Sequence, residues 1–133
     1  MSPQTADDGI VTVRSHRTVE EAAGKLASLI DAKHLMLFAR SDFAADAQRA
    51  GLAMNPSQLL VFGNPRAGTP LMQAVPTAAL DLPLKVLVWQ DGDGRVWFSY
   101  NATSYLQTRH GAPADLMKAL DGVVALVQAA AAD

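Results

Sequence analysis

The stretch 84–100, "LKVLVWQDGDGRVWFSY", constrains this chain more than any other. Two runs rich in β-branched and aromatic residues flank two successive Asp-Gly pairs. Asp-Gly tolerates the positive φ that a tight reversal needs, so 84–90 and 95–100 are expected to be adjacent antiparallel strands. Side chains alternate along a strand, which puts Trp97 and Ser99 on one face and Phe98 and Tyr100 on the other. Both faces therefore carry an aromatic residue. One set is expected to pack under helices, the other under a loop, in an interface or along a pocket.

Three further strands are expected. In "IVTVRS" (10–15), Val11 and Val13 alternate with Thr12 and Arg14, as in a half-buried strand. "HLMLFAR" (34–40) is a second strand and "QLLVFG" (58–63) a third, apolar on both faces and hence central. Thr18 and Glu21 have capping-box spacing, and Val19, Ala22, Leu26, Leu29 and Ile30 then recur at helical intervals. Ser41 and Asp42 open a short helix, "FAADAQRA", with Gly51 at its C-cap. A last helix starts near Pro113 and presents Leu116, Leu120, Val123 and Val127. Pro65, Pro70, Pro76 and Pro83 leave room between strands three and four for a helical turn or two from Thr69, not for a long helix.

A hairpin with two amphipathic helices implies an α+β fold, an antiparallel sheet with helices packed on one face. The expected organisation is a loose arm at 1–8 and one domain over 9–133. The sheet's other face must meet water, a partner or a ligand.

Charge and composition narrow the function classes. The formal net charge is −2 and lysine and arginine are scattered, so no basic stripe for nucleic acid exists. There is no cysteine, which removes disulfides, thiolate chemistry and Cys-ligated metal. No basic-then-apolar leader opens the chain and no apolar run approaches the ~20 residues that span a bilayer. A cytoplasmic bacterial domain without membrane contact is expected.

The segment "GNPRAGTP" (63–70) has the outline of a phosphate-binding loop: a strand, then Gly63, Gly68 and Thr69. It lacks the lysine that reaches the β and γ phosphates, and Pro65 removes an amide donor. Asn64-Pro65 reads instead as a turn start, and Thr69-Pro70 as an N-cap followed by an N1 proline. A helix N-terminus beside Arg66 could still hold a small anion.

Other candidates each have a plain structural reading. His110, between Arg109 and Gly111, is either half of an acid/base or anion-contacting pair or the cationic end of a helix closed by glycine. Asp81 in "LDLP" is a turn former or a carboxylate facing Arg109, the turn being favoured. His34 heads a strand and His16 lies in a charged turn, so the three histidines are isolated and no metal is expected. Ser57, Ser99 and Ser104 lack the Gly-x-Ser-x-Gly elbow of hydrolases.

Several segments in series, "GNP", "GTPLM", "LDLP" and a late "RHG", resemble the bacterial domain-of-unknown-function family 302 from about Val11 onward. The resemblance implies a β-α-β4-α domain, similar in layout to the TATA-binding-protein-like fold and often homodimeric, with no activity to carry over. Many relatives have Asp-His where this chain has Asp42-Phe43, so an activity that used that histidine would be absent. The expected function is a non-catalytic, dimerising domain that binds a small molecule or protein, without a cofactor. The alternative is an enzyme acting on a small anionic substrate in a pocket near the Gly63–Met72 loop and the Arg109–His110 pair. Candidate ligand-binding residues are Asn64, Arg66, Thr69, Met72, Tyr100, Arg109 and His110.

Overall fold

The computed structural model describes residues 4–5 and 8–132. Its strands are β1 (Gln4–Thr5), β2 (Ile10–Ser15), β3 (Met36–Asp42), β4 (Ser57–Gly63), β5 (Leu84–Gln90) and β6 (Val96–Asn101). They form one sheet in the order β1-β2-β6-β5-β4-β3, antiparallel at every junction. The helices are α1 (Val19–Ala32), α2 (Phe43–Arg49), α3 (Pro65–Ala74), α4 (Thr103–His110), α5 (Ala114–Met117) and α6 (Gly122–Ala131), with 3-10 turns at Pro76–Leu80 and Lys118–Leu120. With the short insertions set aside, the order is β-α-β4-α, an α+β fold.

The expected hairpin is present. Trp89 stands opposite Trp97 and Leu87 opposite Ser99. Asp91 organises the reversal: its amide donates to the Arg95 carbonyl at 2.8 Å, and its Oδ1 accepts from the amides of Asp93 and Arg95, each at 2.9 Å. The helix after β2 begins with the anticipated capping box, in which Thr18 and Glu21 satisfy each other's backbone amides.

One face of the sheet makes the core. Val11, Val13, Leu60, Phe62, Val86, Val88, Val96, Phe98 and Tyr100 are buried with Val19, Ala22, Ala23, Leu26 and Ile30 of α1 and Val123, Leu126, Val127 and Ala130 of α6. These two helices thus cover the same face, and α1 carries the chain from β2 to the far edge at β3. Arg40 and Gln58 tie that edge to α1: the Arg40 Nε donates to Gln58 Oε1 at 2.9 Å, and Gln58 Nε2 donates to Glu20 Oε2 at 2.7 Å.

Four local expectations need correction. Within the arm expected at 1–8, Gln4–Thr5 pairs with Thr12 and Val11 as an edge strand. His34 does not head a strand. It sits at φ 58 just past α1, its amide bonded to the Asp31 carbonyl, and β3 starts two residues later. The third helix starts at Pro65, not Thr69, because Asn64 is already an N-cap with proline at N1, and Pro70 is carried inside the helix. A helix not assigned in full from the sequence, α4, spans "TSYLQTRH". The expected last helix from Pro113 is three pieces, α5, a 3-10 turn and α6.

Candidate functional site

Where β4 runs into α3, a cavity of about 160 Å³ opens. Gly63, Asn64, Pro65, Ala67, Gly68, Thr69 and Met72 form one wall. Phe38, the Leu82–Leu84 segment, Ala119 and Leu120 form the others. Phe38 lies where the β3–β4 register shifts, between Leu37 and Ala39. Three of the seven candidate residues, Asn64, Thr69 and Met72, therefore line one cavity. Leu82 follows Asp81, and its own peptide bond to Pro83 is cis.

The start of α3 has no donors to spare for an anion. Pro65 has none, Asn64 Oδ1 accepts from the Arg66 amide at 3.0 Å, and the Asn64 carbonyl accepts from the amides of Ala67 and Gly68 at 2.9 and 3.0 Å. The Arg66 side chain is exposed and does not line the cavity. No cationic side chain does. The anion site that a free helix start could offer is not assembled there, because the helix caps itself.

Arg109 and His110 serve a different cluster. Asp81 Oδ2 accepts from His110 Nε2 at 2.6 Å, and both carboxylate oxygens lie 3.2 Å from Arg109 NH1. His110 Nδ1 is 3.0 Å from the Thr77 hydroxyl. The imidazole is 6 % exposed and the carboxylate 14 %, whereas Arg109 is 48 % exposed. In the neutral ring, donation from Nε2 to the carboxylate leaves Nδ1 to accept from Thr77. The turn reading favoured for Asp81 thus gives way to the alternative: it is a shielded carboxylate facing Arg109. The glycine ending also holds, since Gly111 closes α4 at φ 61, the left-handed position that glycine adopts without a Cβ penalty.

This cluster packs beside Leu71, Ala78, Leu106, Met117 and Leu120, a second small core. Leu82 and Leu120 separate it from the cavity, lining both sides. The pocket expected to unite the Gly63–Met72 loop with Arg109 and His110 is therefore two places divided by a leucine wall. Tyr100 belongs to neither. It lies in the main core opposite Val11, where burial raises its phenol above the ordinary 10.0. Thr77 was missed because nothing local in "VPTAAL" pairs it with a histidine 33 residues away.

The sheet face away from α1 and α6 carries Leu59, Val61, Leu87, Trp89 and Trp97, all half-buried. Polar groups on it are satisfied internally. Trp89 Nε1 donates to Ser99 Oγ at 2.9 Å, Trp97 Nε1 donates to Asp91 Oδ2 at 2.9 Å, and the Arg14 guanidinium lies 5.5 Å from the Trp97 ring centre. The indole bond to Asp91, with help from the Arg95 and Asp93 amides, holds that carboxyl below its usual range. At the edge, Met36, Leu37 and Phe38 are 52 %, 41 % and 46 % exposed.

A broader groove between α1, α2 and the end of β4 is lined by Glu20, Asp42, Gln48, Met54 and Gln58 among others. Two of its polar side chains are already partnered: Gln58 with Arg40 and Glu20, and Asp42 with the Ala45 amide. Phe43 opens α2 beside it, partly exposed. Among the described residues, no three His, Cys, Asp or Glu side chains converge as a metal site requires, and no helix is long and apolar enough to cross a membrane.

Comparison with known proteins agrees with this architecture. A crystal structure of an uncharacterized conserved protein DUF302 from Bacillus stearothermophilus superposes with a TM-score of 0.75 at 16 % identity, covering 92 % of this chain and 95 % of that one. At that identity the match speaks for the fold alone. A Brucella suis protein named fluoride-specific ion channel FluC 1 is 42 % identical over 104 residues, 78 % of this chain and 41 % of that protein. Its Brucella abortus counterpart is also 42 % identical over 104 residues, 38 % of its length. The chain thus spans about two fifths of the length of these curated relatives. The pattern described as "Domain of unknown function DUF302" matches residues 11–130, nearly the whole of the fold described above, and the chain belongs to that family.

Proposed function

We propose that this is a cytoplasmic, non-catalytic domain that pairs with a second copy through its uncovered sheet face and holds a small molecule in the cavity beside α3. The observation that carries the reading is the apolar face of Leu59, Val61, Leu87, Trp89 and Trp97, which neither α1 nor α6 covers. Those side chains sit on three neighbouring strands ~4.8 Å apart and about seven residues long, a footprint of roughly 300 Å². A stable interface buries about 800 Å² per partner, so the face alone supports weak association. Met36, exposed at the β3 edge opposite Gly63, adds apolar surface on that side. A related segment also occurs as about two fifths of the Brucella proteins, which is in keeping with a module that works beside other protein.

The expected outcome in size-exclusion chromatography with light scattering is a two-chain mass at tens of micromolar, moving to one chain in Leu87→Arg. A single-chain mass for the wild type at that concentration refutes the pairing.

One observation favours an enzymatic reading. The Thr77 hydroxyl, the His110 imidazole and the Asp81 carboxylate stand in series, the order of nucleophile, base and orienting group in acyl-transfer enzymes. This moves the reacting group away from the Gly63–Met72 loop. Hydrolysis of p-nitrophenyl acetate is then expected to fall at least tenfold in Thr77→Ala and His110→Ala. Equal rates in all three proteins eliminate this reading.

A further inference from the structure

The two glycines of the loop are unexplained by backbone conformation. Neither Gly63 nor Gly68 has the left-handed φ that favours glycine. Gly68 lies inside α3, where glycine is a poorer helix former than alanine. A Cβ added to it would meet Leu82 Cδ1 and Met72 Cε, both at 3.9 Å, which is ordinary contact rather than a clash. A Cβ on Gly63 would meet Pro83 Cβ at 3.6 Å and Phe38 Cε2 at 3.9 Å. A methyl is therefore sterically acceptable at both positions, and it would stand in the wall of the cavity that both glycines line.

The chemistry of the walls selects the occupant. Phe38, Leu82, Pro83, Leu84, Met72 and Leu120 are apolar, no cation faces the space, and the α3 amides are already bonded. A dry cavity of about 150 Å³ lined by such side chains holds one benzene ring. Here the volume is about 160 Å³. Met72 adds an adaptable thioether that can follow a ring face. The rim carries the polar groups of Asn64 and Thr69, which suit a single polar substituent directed outward.

We infer that Gly63 and Gly68 keep open a site for an uncharged, single-ring apolar molecule. The inference rests on the reading that the cavity beside α3 binds a small molecule, and it names the class. It also departs from the anionic substrate of the alternative reading, because no cation faces the space to match a carboxylate or phosphate.

The test uses the full chain with methyl-labelled methionine and follows the Met72 signal by NMR. Toluene and benzoate are the probes, matched in ring and differing in charge. Toluene is expected to move the Met72 methyl saturably with a midpoint below about 1 mM, the range open to a seven-atom ligand. Benzoate is expected to move it at least tenfold less at equal concentration. Gly68→Leu, which fills the space, is expected to abolish the toluene shift; Gly68→Ala should weaken it and serves if the leucine variant does not fold. A benzoate shift equal to or larger than that of toluene overturns the ligand class and leaves the small-molecule reading standing. No shift with either probe overturns both. A toluene shift undiminished in the folded Gly68 variants places binding elsewhere and overturns the site.

Discussion

Replacing Asp81 with alanine probes the clasp that joins α4 to the turn after α3. The carboxylate accepts the short bond from His110 Nε2 and two longer ones from Arg109. Truncation leaves the imidazole N–H without an acceptor where its side chain is 6 % exposed. A buried donor left unpaired costs about 1–3 kcal/mol. The Arg109 pairing contributes at most about 1 kcal/mol, since the guanidinium is half in water. The expected loss is therefore about 2 kcal/mol for Asp81→Ala and under about 1 kcal/mol for Arg109→Ala. In urea unfolding with a slope near 2 kcal/mol per molar, the midpoint should fall by about 1 M in the first variant at an unchanged slope. Asp81→Asn retains an oxygen acceptor for His110 and should fall between the two. If Asp81→Ala and Arg109→Ala shift the midpoint equally, water reaches the imidazole freely and the clasp is a surface contact.

Asn64→Ala removes the side-chain acceptor of the Arg66 amide and should cost about 1 kcal/mol in the same assay, while a loss below a few tenths would mean that water caps α3 equally well. Gly68→Ala should raise stability by about 0.5–1 kcal/mol, because the helix gains propensity and the new methyl meets only ordinary contacts; a loss would indicate that the cavity wall is tighter than its distances suggest. For Asp91, the native carboxyl is held below its ordinary 3.8, so it contributes stability above that value that is lost as pH falls through its lower folded value. Asp91→Asn lacks this contribution, and its thermal midpoint should decline less steeply than that of the wild type below pH 4. Parallel curves would show that the Trp97 bond does not distinguish the ionised carboxyl.

The parts of the fold legible in the sequence are those governed by adjacent residues. Asp-Gly pairs placed the β5–β6 reversal, Thr18 and Glu21 placed the start of α1, and strand alternation sorted Phe98 from Trp97. Misreadings arose where two local solutions compete. Asn64-Pro65 and Thr69-Pro70 both satisfy the rule of a cap followed by proline, and only the strand end at Gly63 decides that the earlier one opens the helix. The short α4 shows little amphipathic periodicity in "TSYLQTRH", so its apolar anchor, Leu106, is hard to distinguish from a loop residue. The supposed last helix is interrupted at Asp121-Gly122, although its apolar spacing continues across the break. The candidate residues divided for a further reason. Asp81 joins to His110 across 29 positions and Thr77 across 33, a pairing set by how α4 packs on the preceding 3-10 turn.

The loop that outlines a phosphate cradle shows how little glycine spacing alone decides. A phosphate site needs amides that no other group has claimed, and a cation to match the charge. Here Asn64 claims the first donors of α3 with its side chain and its carbonyl, Pro65 deletes another, and Arg66 does not line the cavity. The same two glycines then have an opposite consequence. Without a Cβ at either position, the strand end and the helix stand back from Pro83, Phe38, Leu82 and Met72. The apolar walls of the space between disfavour an ion, which would shed hydration there with no cation to match it. Supplying a lysine by Thr69→Lys would not restore the nucleotide reading, since the α3 amides would still be bonded to Asn64. A cradle would require removing both Asn64 and Pro65, the pair that starts α3.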